Sequence, residues 1–232
     1  MKEFMKTFPF FSLATIILVS VVTFSVRGQG TFQNLNFELA NPGPLTQNPD
    51  GPPYAINVPV ADALPYWIVF YGSVQQSEVN VNAPSLGSPA VTLIAPGDNP
   101  IDGNYSVLLQ GFGQNVSISQ TGLVPFTAQS LFFEAQSSDG PLIVSIGGQS
   151  VPFSAISTGP NYVLYGANIS AWAGETESLQ FTAASLPNEA DNWELDDIAF
   201  SAQSVPEPDA FLLTGLGGTL FALYRRFAPK RK

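Results

Sequence analysis

The chain has 232 residues and a net charge of -10, with 45% hydrophobic and 11% charged residues. Every Lys and Arg lies in residues 1–30 or 205–232, whereas residues 31–204 hold fifteen acids and no Lys, Arg, His or Cys. In that middle segment this excludes disulfides, zinc sites of thiolate or imidazole, Ser-His or Cys-His nucleophiles, and nucleic-acid binding, which needs a basic surface.

Residues 1–30 are predicted to be a secretory signal peptide. Lys2 and Lys6 give a charged start, an apolar run follows over 8–26, and Gly28 and Gly30 offer small residues for signal peptidase. The alternative is a membrane anchor that is retained. The expected result of either is export of the middle segment.

Residues 31–204 are predicted to be one all-β domain. They lack long helical periodicity, and short β-rich runs recur between Gly, Pro, Asn and Asp. The predicted strands are Phe32–Phe37, Tyr66–Tyr71, Glu78–Val81, Ala90–Ala95, Tyr105–Gln110, Val116–Gln120, Ser130–Gln136, Leu142–Ile146, Gln149–Phe153, Asn161–Ile169, Glu177–Ala183 and Asn192–Phe200. This number of strands predicts a two-sheet antiparallel sandwich. Gly147-Gly148 predicts a tight hairpin, because both glycines tolerate positive φ.

Residues 205–232 contain three elements in order. Pro206-Glu207-Pro208 precedes a short apolar stretch at 210–224, and a basic tail at 225–232 begins with Arg225 and Arg226. As a transmembrane helix this stretch would be short, because a span takes about 20 residues. The basic tail would stay cytoplasmic and the acidic domain would lie outside.

This tail resembles the PEP-CTERM sorting signal of Gram-negative bacteria. In that family the membrane protease exosortase cuts near the Pro-Glu-Pro motif, often in strains that make exopolysaccharide. The resemblance implies that Pro206, Glu207 and Pro208 form the cleavage motif and that Arg225 and Arg226 stop transfer at the membrane. The protein would be anchored transiently in the inner membrane and would then reach the cell surface or the extracellular medium. The alternative is an ordinary tail anchor.

The middle domain resembles galactose-binding-like jelly rolls, a fold shared by carbohydrate-binding modules and DUF642-type secreted domains. The resemblance rests on the opening Asn34-Leu35-Asn36-Phe37-Glu38, on Pro65-Tyr66-Trp67, on Asp102–Val107, and on the closing strand with Asp196-Asp197-Ile198. It implies a jelly-roll sandwich, which the predicted N-terminal signal helix and C-terminal transmembrane helix would flank.

The same resemblance implies a structural calcium ion where the first and last strands meet. Glu38, Asp196, Asn34 and Asn36 would supply oxygen ligands, of which calcium takes six to eight. Only one of Asp196 and Asp197 could join Glu38, because neighbours on a strand point to opposite faces. The alternative is that Glu38 and Asp196 are solvated or bind turn amides.

Glycan binding needs a flat ring for the apolar face of a sugar, together with polar partners. Tyr54, Trp67 and Trp172 are candidate glycan contacts; for Trp67 the alternative is a core position, because its neighbours are apolar. We therefore expect a non-catalytic surface or extracellular-matrix protein that binds exopolysaccharide. The alternatives are a purely structural or adhesive surface protein and, less favoured, a glycan hydrolase with a carboxylate pair.

Overall fold

A computed structural model of the protein describes residues 31–85, 87–185 and 189–205. These residues form two packed β-sheets, which confirms the predicted all-β sandwich in outline. In spatial order the larger sheet contains β1 (Ala55–Pro59), β4 (Glu78–Val81), β5 (Ala90–Ile94), β6 (Ser106–Gly111), β14 (Asp191–Ser201), β8 (Ser130–Asp139), β12 (Val163–Asn168) and β11 (Phe153–Thr158). The smaller sheet contains β10 (Gln149–Ser150), β9 (Leu142–Ile146), β13 (Thr176–Ala183), β7 (Val116–Leu123), β2 (Ile68–Tyr71) and β3 (Val74–Gln76).

Helical structure in the described residues is limited to two short pieces. The helix α1 covers Val60–Ala63, and a single 3₁₀ turn covers Ser170–Trp172. Both are connections between strands, so the two layers of the domain consist of β-sheet alone.

The predicted hairpin between β9 and β10 is confirmed. Ile146 pairs with Gln149, so the turn consists of Gly147 and Gly148 alone. Their φ angles are 57° and 75°, which is the pair of positive values that a type I′ turn requires.

The predicted first strand, Phe32–Phe37, is wrong. Asn34 and Phe37 have φ angles of 51° and 57°, and the Phe37 amide turns back to the Asn34 carbonyl at 3.4 Å. A pleated strand needs negative φ, so this segment forms turns instead. It still lies beside the last strand, because the Ile198 amide donates to the Leu35 carbonyl at 3.0 Å.

The expectation of a wholly antiparallel structure is also wrong at one pair of strands. β4 and β5 run parallel, with Asn80 opposite Thr92 and Val81 opposite Leu93. The chain leaves β4 at Asn82, whose φ of 48° is left-handed and whose side chain accepts a hydrogen bond from the Ala95 amide at 2.7 Å. The two strands are therefore not joined as a hairpin.

The core lies between the two sheets and is joined across them by aromatic rings. Phe133 on β8 meets Phe181 on β13 with ring centres 5.2 Å apart, and it also packs on Phe153 and Tyr165. Each large apolar side chain that is fully buried contributes about 1.5–3 kcal/mol. The sandwich therefore needs no disulfide to be stable.

The outermost strands are short or interrupted. β10 has two residues and β3 has three, while β1 ends at Pro59 and β11 is preceded by Pro152. In addition, β11 changes register between Ala155 and Ser157 where it pairs with β12.

Candidate functional site

The outward face of the larger sheet carries two clefts. Along β8 the core side chains are Leu131, Phe133 and Ala135, so the alternation of a strand turns Phe132, Glu134 and Gln136 away from the core. β14, which pairs with β8, and β6, which pairs with β14, follow the same rule and add polar side chains to this face.

The first cleft, which we call the amide cleft, has a volume of about 430 Å³. It is lined by Pro84, Ser85, Leu108, Gln110, Gln136, Ser137, Asn192 and Glu194. The Gln110 side chain accepts from the Ser85 amide at 2.8 Å and donates to the Asn192 side-chain oxygen at 3.1 Å. These bonds hold the side chains of Gln110 and Asn192 in fixed orientations.

Glu194 gives the amide cleft a carboxylate. The Ser106 hydroxyl donates to it, and burial raises the pKa of Glu194 above its usual value. The carboxylate of Glu194 and the side-chain amides thus place hydrogen-bond donors and acceptors around the apolar side chain of Leu108.

The second cleft, which we call the acidic cleft, has a volume of about 380 Å³. It is lined by Phe132, Glu134, Ile156, Leu164, Asp197, Ala199, Gln203 and Ser204. A bulge in β14 between Asp196 and Ala199 shifts its register against β8 and leaves Asp197 exposed at a φ of 43°.

Five carboxylates influence one another near the acidic cleft, and we call them the acidic corner: Glu38, Asp102, Glu134, Asp196 and Asp197. Burial raises the pKa of Glu134 and Asp197, and the charge of Asp102 raises both further. Burial raises the pKa of Asp196 to about 8, and that side chain is 1% exposed. The sequence from 31 to 204 supplies no cation to offset these charges.

Most of the predicted calcium ligands accept or donate hydrogen bonds within the protein. Glu38 accepts from the Asn104 amide at 2.7 Å, from the Asn104 side chain at 3.0 Å and from the Tyr105 amide at 3.0 Å. Burial acts to raise the pKa of Glu38, but these three bonds outweigh it and lower the pKa. Asp196 accepts from the Asp102 amide at 3.2 Å and from the Asp197 amide at 2.8 Å.

The two predicted asparagine ligands are placed differently. Asn34 is buried, where it accepts from the Leu39 amide at 2.9 Å and donates to the Pro65 carbonyl at 3.1 Å. Asn36 is exposed. Within residues 31–85, 87–185 and 189–205, no three acidic side chains are grouped in a way that could hold a metal ion. Calcium therefore stays a prediction.

The predicted glycan contacts do not share a surface with the clefts. Trp67 is 3% exposed, packs on Phe37 and donates its ring nitrogen to the Asn34 carbonyl at 2.9 Å. Its assignment as a glycan contact is corrected, because a buried ring offers no face to a sugar. Trp172 is half-buried against the core and Tyr54 is half-buried beside its bridge to Thr46, and both stay predictions.

The polar side chains of both clefts were not predicted as sugar contacts. The predicted contacts were all aromatic, whereas these surfaces are built from Gln110, Gln136, Asn192 and Glu134. A signal was present in the sequence, because polar residues alternate with core residues in the two neighbouring strands Ser130–Gln136 and Asn192–Phe200.

The predicted export and sorting elements lie outside the described residues. These are the signal peptide at 1–30, the motif Pro206, Glu207 and Pro208, the helix at 210–224 and the stop at Arg225 and Arg226. In the part of the chain that the structure describes, no helix has the length and apolar character to cross a membrane.

No known protein family matches the chain, and no curated protein matches it. Among solved structures, the enzymatically active domain of bacteriophage CBA120 tailspike protein 4 aligns with 13% identity and a TM-score of 0.36. The alignment covers 59% of this chain and 19% of the tailspike chain. A similarity of this size supports no inference about function.

Proposed function

We propose that the chain is an exported, non-catalytic surface protein whose jelly-roll domain binds neutral or amine-bearing polysaccharide in the extracellular matrix. The amide cleft carries this proposal. Sugars present many hydroxyl groups, each a donor and an acceptor, and a cleft of side-chain amides with one carboxylate offers both kinds of partner. The anionic domain disfavours uronate, sulfate or phosphate glycans, because like charges repel.

The delivery half of the proposal rests on the sequence at the two ends. Signal peptidase would remove residues 1–30, and exosortase would act near Pro206-Glu207-Pro208 while the helix at 210–224 holds the protein in the inner membrane. We expect replacement of the three motif residues by alanine to leave the uncut chain in the membrane. Mass spectrometry of membrane and surface fractions measures this, and an identical mass and location for both proteins would contradict it.

The binding half is tested with the full-length protein in a mild detergent. Gln136→Ala is expected to weaken polysaccharide binding roughly three- to tenfold, the usual effect of one lost hydrogen bond. Gln136 is exposed, so its removal spares the core. The matched control is Gln75→Ala, an exposed glutamine on β3 of the other sheet. Absence of binding to any polysaccharide, the host's own included, would overturn the proposal.

The two alternatives make different predictions in the same experiment. A structural or adhesive protein would associate with itself and show no affinity for sugars, which light scattering detects. A glycan hydrolase would release reducing ends from the bound polysaccharide. Glu194 is the observation that favours a hydrolase, because a carboxyl whose pKa is raised by burial can act as a general acid. Glu194→Gln would then abolish the release of reducing ends.

A further inference from the structure

The acidic cleft differs from the amide cleft in having an apolar floor and a charged rim. Phe132, Ile156 and Leu164 supply the apolar side chains, whereas Glu134 and Asp197 supply carboxylates. Such a surface is complementary to a ligand that has an apolar face and a positive charge.

Glu134 has hydrogen-bonding capacity that the protein leaves unused. The Tyr162 hydroxyl bonds to its carboxylate, yet the Oε2 atom is buried and has no hydrogen-bond partner among the described residues. Buried acceptors without a partner are rare in native structures, and each calls for an explanation. The Oε2 atom itself is inaccessible, but Glu134 lines the cleft, so the negative charge of its carboxylate acts on a ligand there.

The charge around Glu134 determines which donor fits. Asp102 and Asp197 both act on Glu134 as like charges, and residues 31–204 contain no Lys, Arg or His to balance them. A neutral hydroxyl in the cleft would leave this repulsion unchanged. An ammonium group would reduce it, and its hydrogen bonds to carboxylates are charge-assisted and stronger than neutral ones.

We propose that the acidic cleft binds the ammonium group of a de-N-acetylated amino sugar, with Glu134 and Asp197 facing the charge and Phe132 under the apolar face of the ring. This inference rests on the proposed polysaccharide binding and names its substrate class. It identifies the ligand as a glycan that carries free amines, rather than one that is fully acetylated or acidic.

The test compares two probes of equal length on the full-length protein in a mild detergent with EGTA present. The probes are a hexamer of glucosamine and a hexamer of N-acetylglucosamine, and calorimetry measures their affinities. We expect the amine-bearing hexamer to bind roughly tenfold more tightly, as one charge-assisted hydrogen bond implies. This preference should decrease as salt rises, because ions screen exposed charges.

Two variants assign the preference to the cleft. Glu134→Gln and Asp197→Asn, each on its own, are expected to remove most of the tenfold preference while the acetylated hexamer binds as before. The matched control is Glu78→Gln, which removes one exposed negative charge on β4 and should keep the preference. Circular dichroism checks that each variant is folded. If one cleft variant does not fold, the other still tests the preference.

The outcomes separate this inference from the proposed function. Equal affinity for the two hexamers would overturn the amine preference and leave polysaccharide binding intact. An equal loss of preference in Glu78→Gln would also overturn it, because general charge and not the cleft would then be responsible. Absence of binding to both hexamers and to every other polysaccharide would overturn the proposed function as well.

Discussion

The two faces of β8 have opposite characters within one strand. Leu131, Phe133 and Ala135 face the core and are at most 1% exposed, whereas Glu134 and Gln136 face solvent and line the clefts. The inner face is defined by packing with the other sheet, and the outer face by hydrogen bonds and charge. The two faces can therefore be altered separately: substitutions on the inner face change stability, and substitutions on the outer face change the lining of the clefts.

Phe133→Ala is expected to have the largest effect. It removes a ring that touches three other aromatic rings, one of them on the opposite sheet, and a substitution of this kind lowers the free energy of unfolding by about 3–5 kcal/mol. Urea denaturation of the full-length protein measures the loss. Phe132→Ala is the control on the outer face, where the ring is half-buried, and should lose less than half as much. Equal losses of stability in the two variants would contradict the view that the inner face alone carries the packing.

Asp196 is an exception on the outer face, because it is buried although its strand position is outward. Burial raises its pKa to about 8 in the folded protein, against 3.8 for a free side chain. Between these values the folded state keeps a proton that the unfolded state loses, so stability falls as pH rises. We expect a loss of about 2–3 kcal/mol from pH 5 to pH 7, since each unit of difference corresponds to about 1.4 kcal/mol.

The variant Asp196→Asn tests that assignment. It cannot ionise, so the free energy of unfolding should change less with pH than in the parent protein. Part of the slope should remain, because the pKa values of Asp98, Glu194 and Asp197 are raised as well. Denaturation curves at several pH values give the slope, and an unchanged slope would show that Asp196 is ionised in the folded state.

Calcium gives the smallest expected effect on stability. If calcium binds at the acidic corner with the affinity of extracellular modules, 10 mM calcium should raise the melting temperature by about 3–10 °C. EGTA should reverse the change and 10 mM magnesium should not reproduce it. Glu38→Gln should reduce the shift. A melting temperature that does not respond to calcium would remove this prediction.

The fold could be predicted in outline because its main signals are local. Alternation predicted β7 and β13, where Ile118, Leu179 and Phe181 are fully buried, and paired glycines predicted the β9–β10 hairpin. The edge strands β1 and β3 were missed, and the predicted strand Gln149–Phe153 is divided between β10 and β11, which lie in different sheets. β1 lies in a stretch rich in Pro and Asn, and its strand conformation depends on pairing with β4, which is a tertiary contact.

The candidate site was harder to predict because it depends on neighbours that are far apart in the sequence. Gln110 and Asn192 meet only because β6 pairs with β14 in one register. Glu38 was expected beside the closing strand, but its hydrogen bonds go to the turn at Asn104 and Tyr105. These hydrogen bonds could be predicted only if the position of the turn in the fold were known, and local sequence does not specify it.

The short and interrupted outer strands have a consequence for assembly. A long, flat border of unpaired backbone groups invites another chain to add a strand, and this can proceed to fibres. Here β3 and β10 are too short for such growth, and prolines border β1 and β11. We therefore expect crowded molecules of this protein to stay individually folded and separable, rather than to join strand to strand.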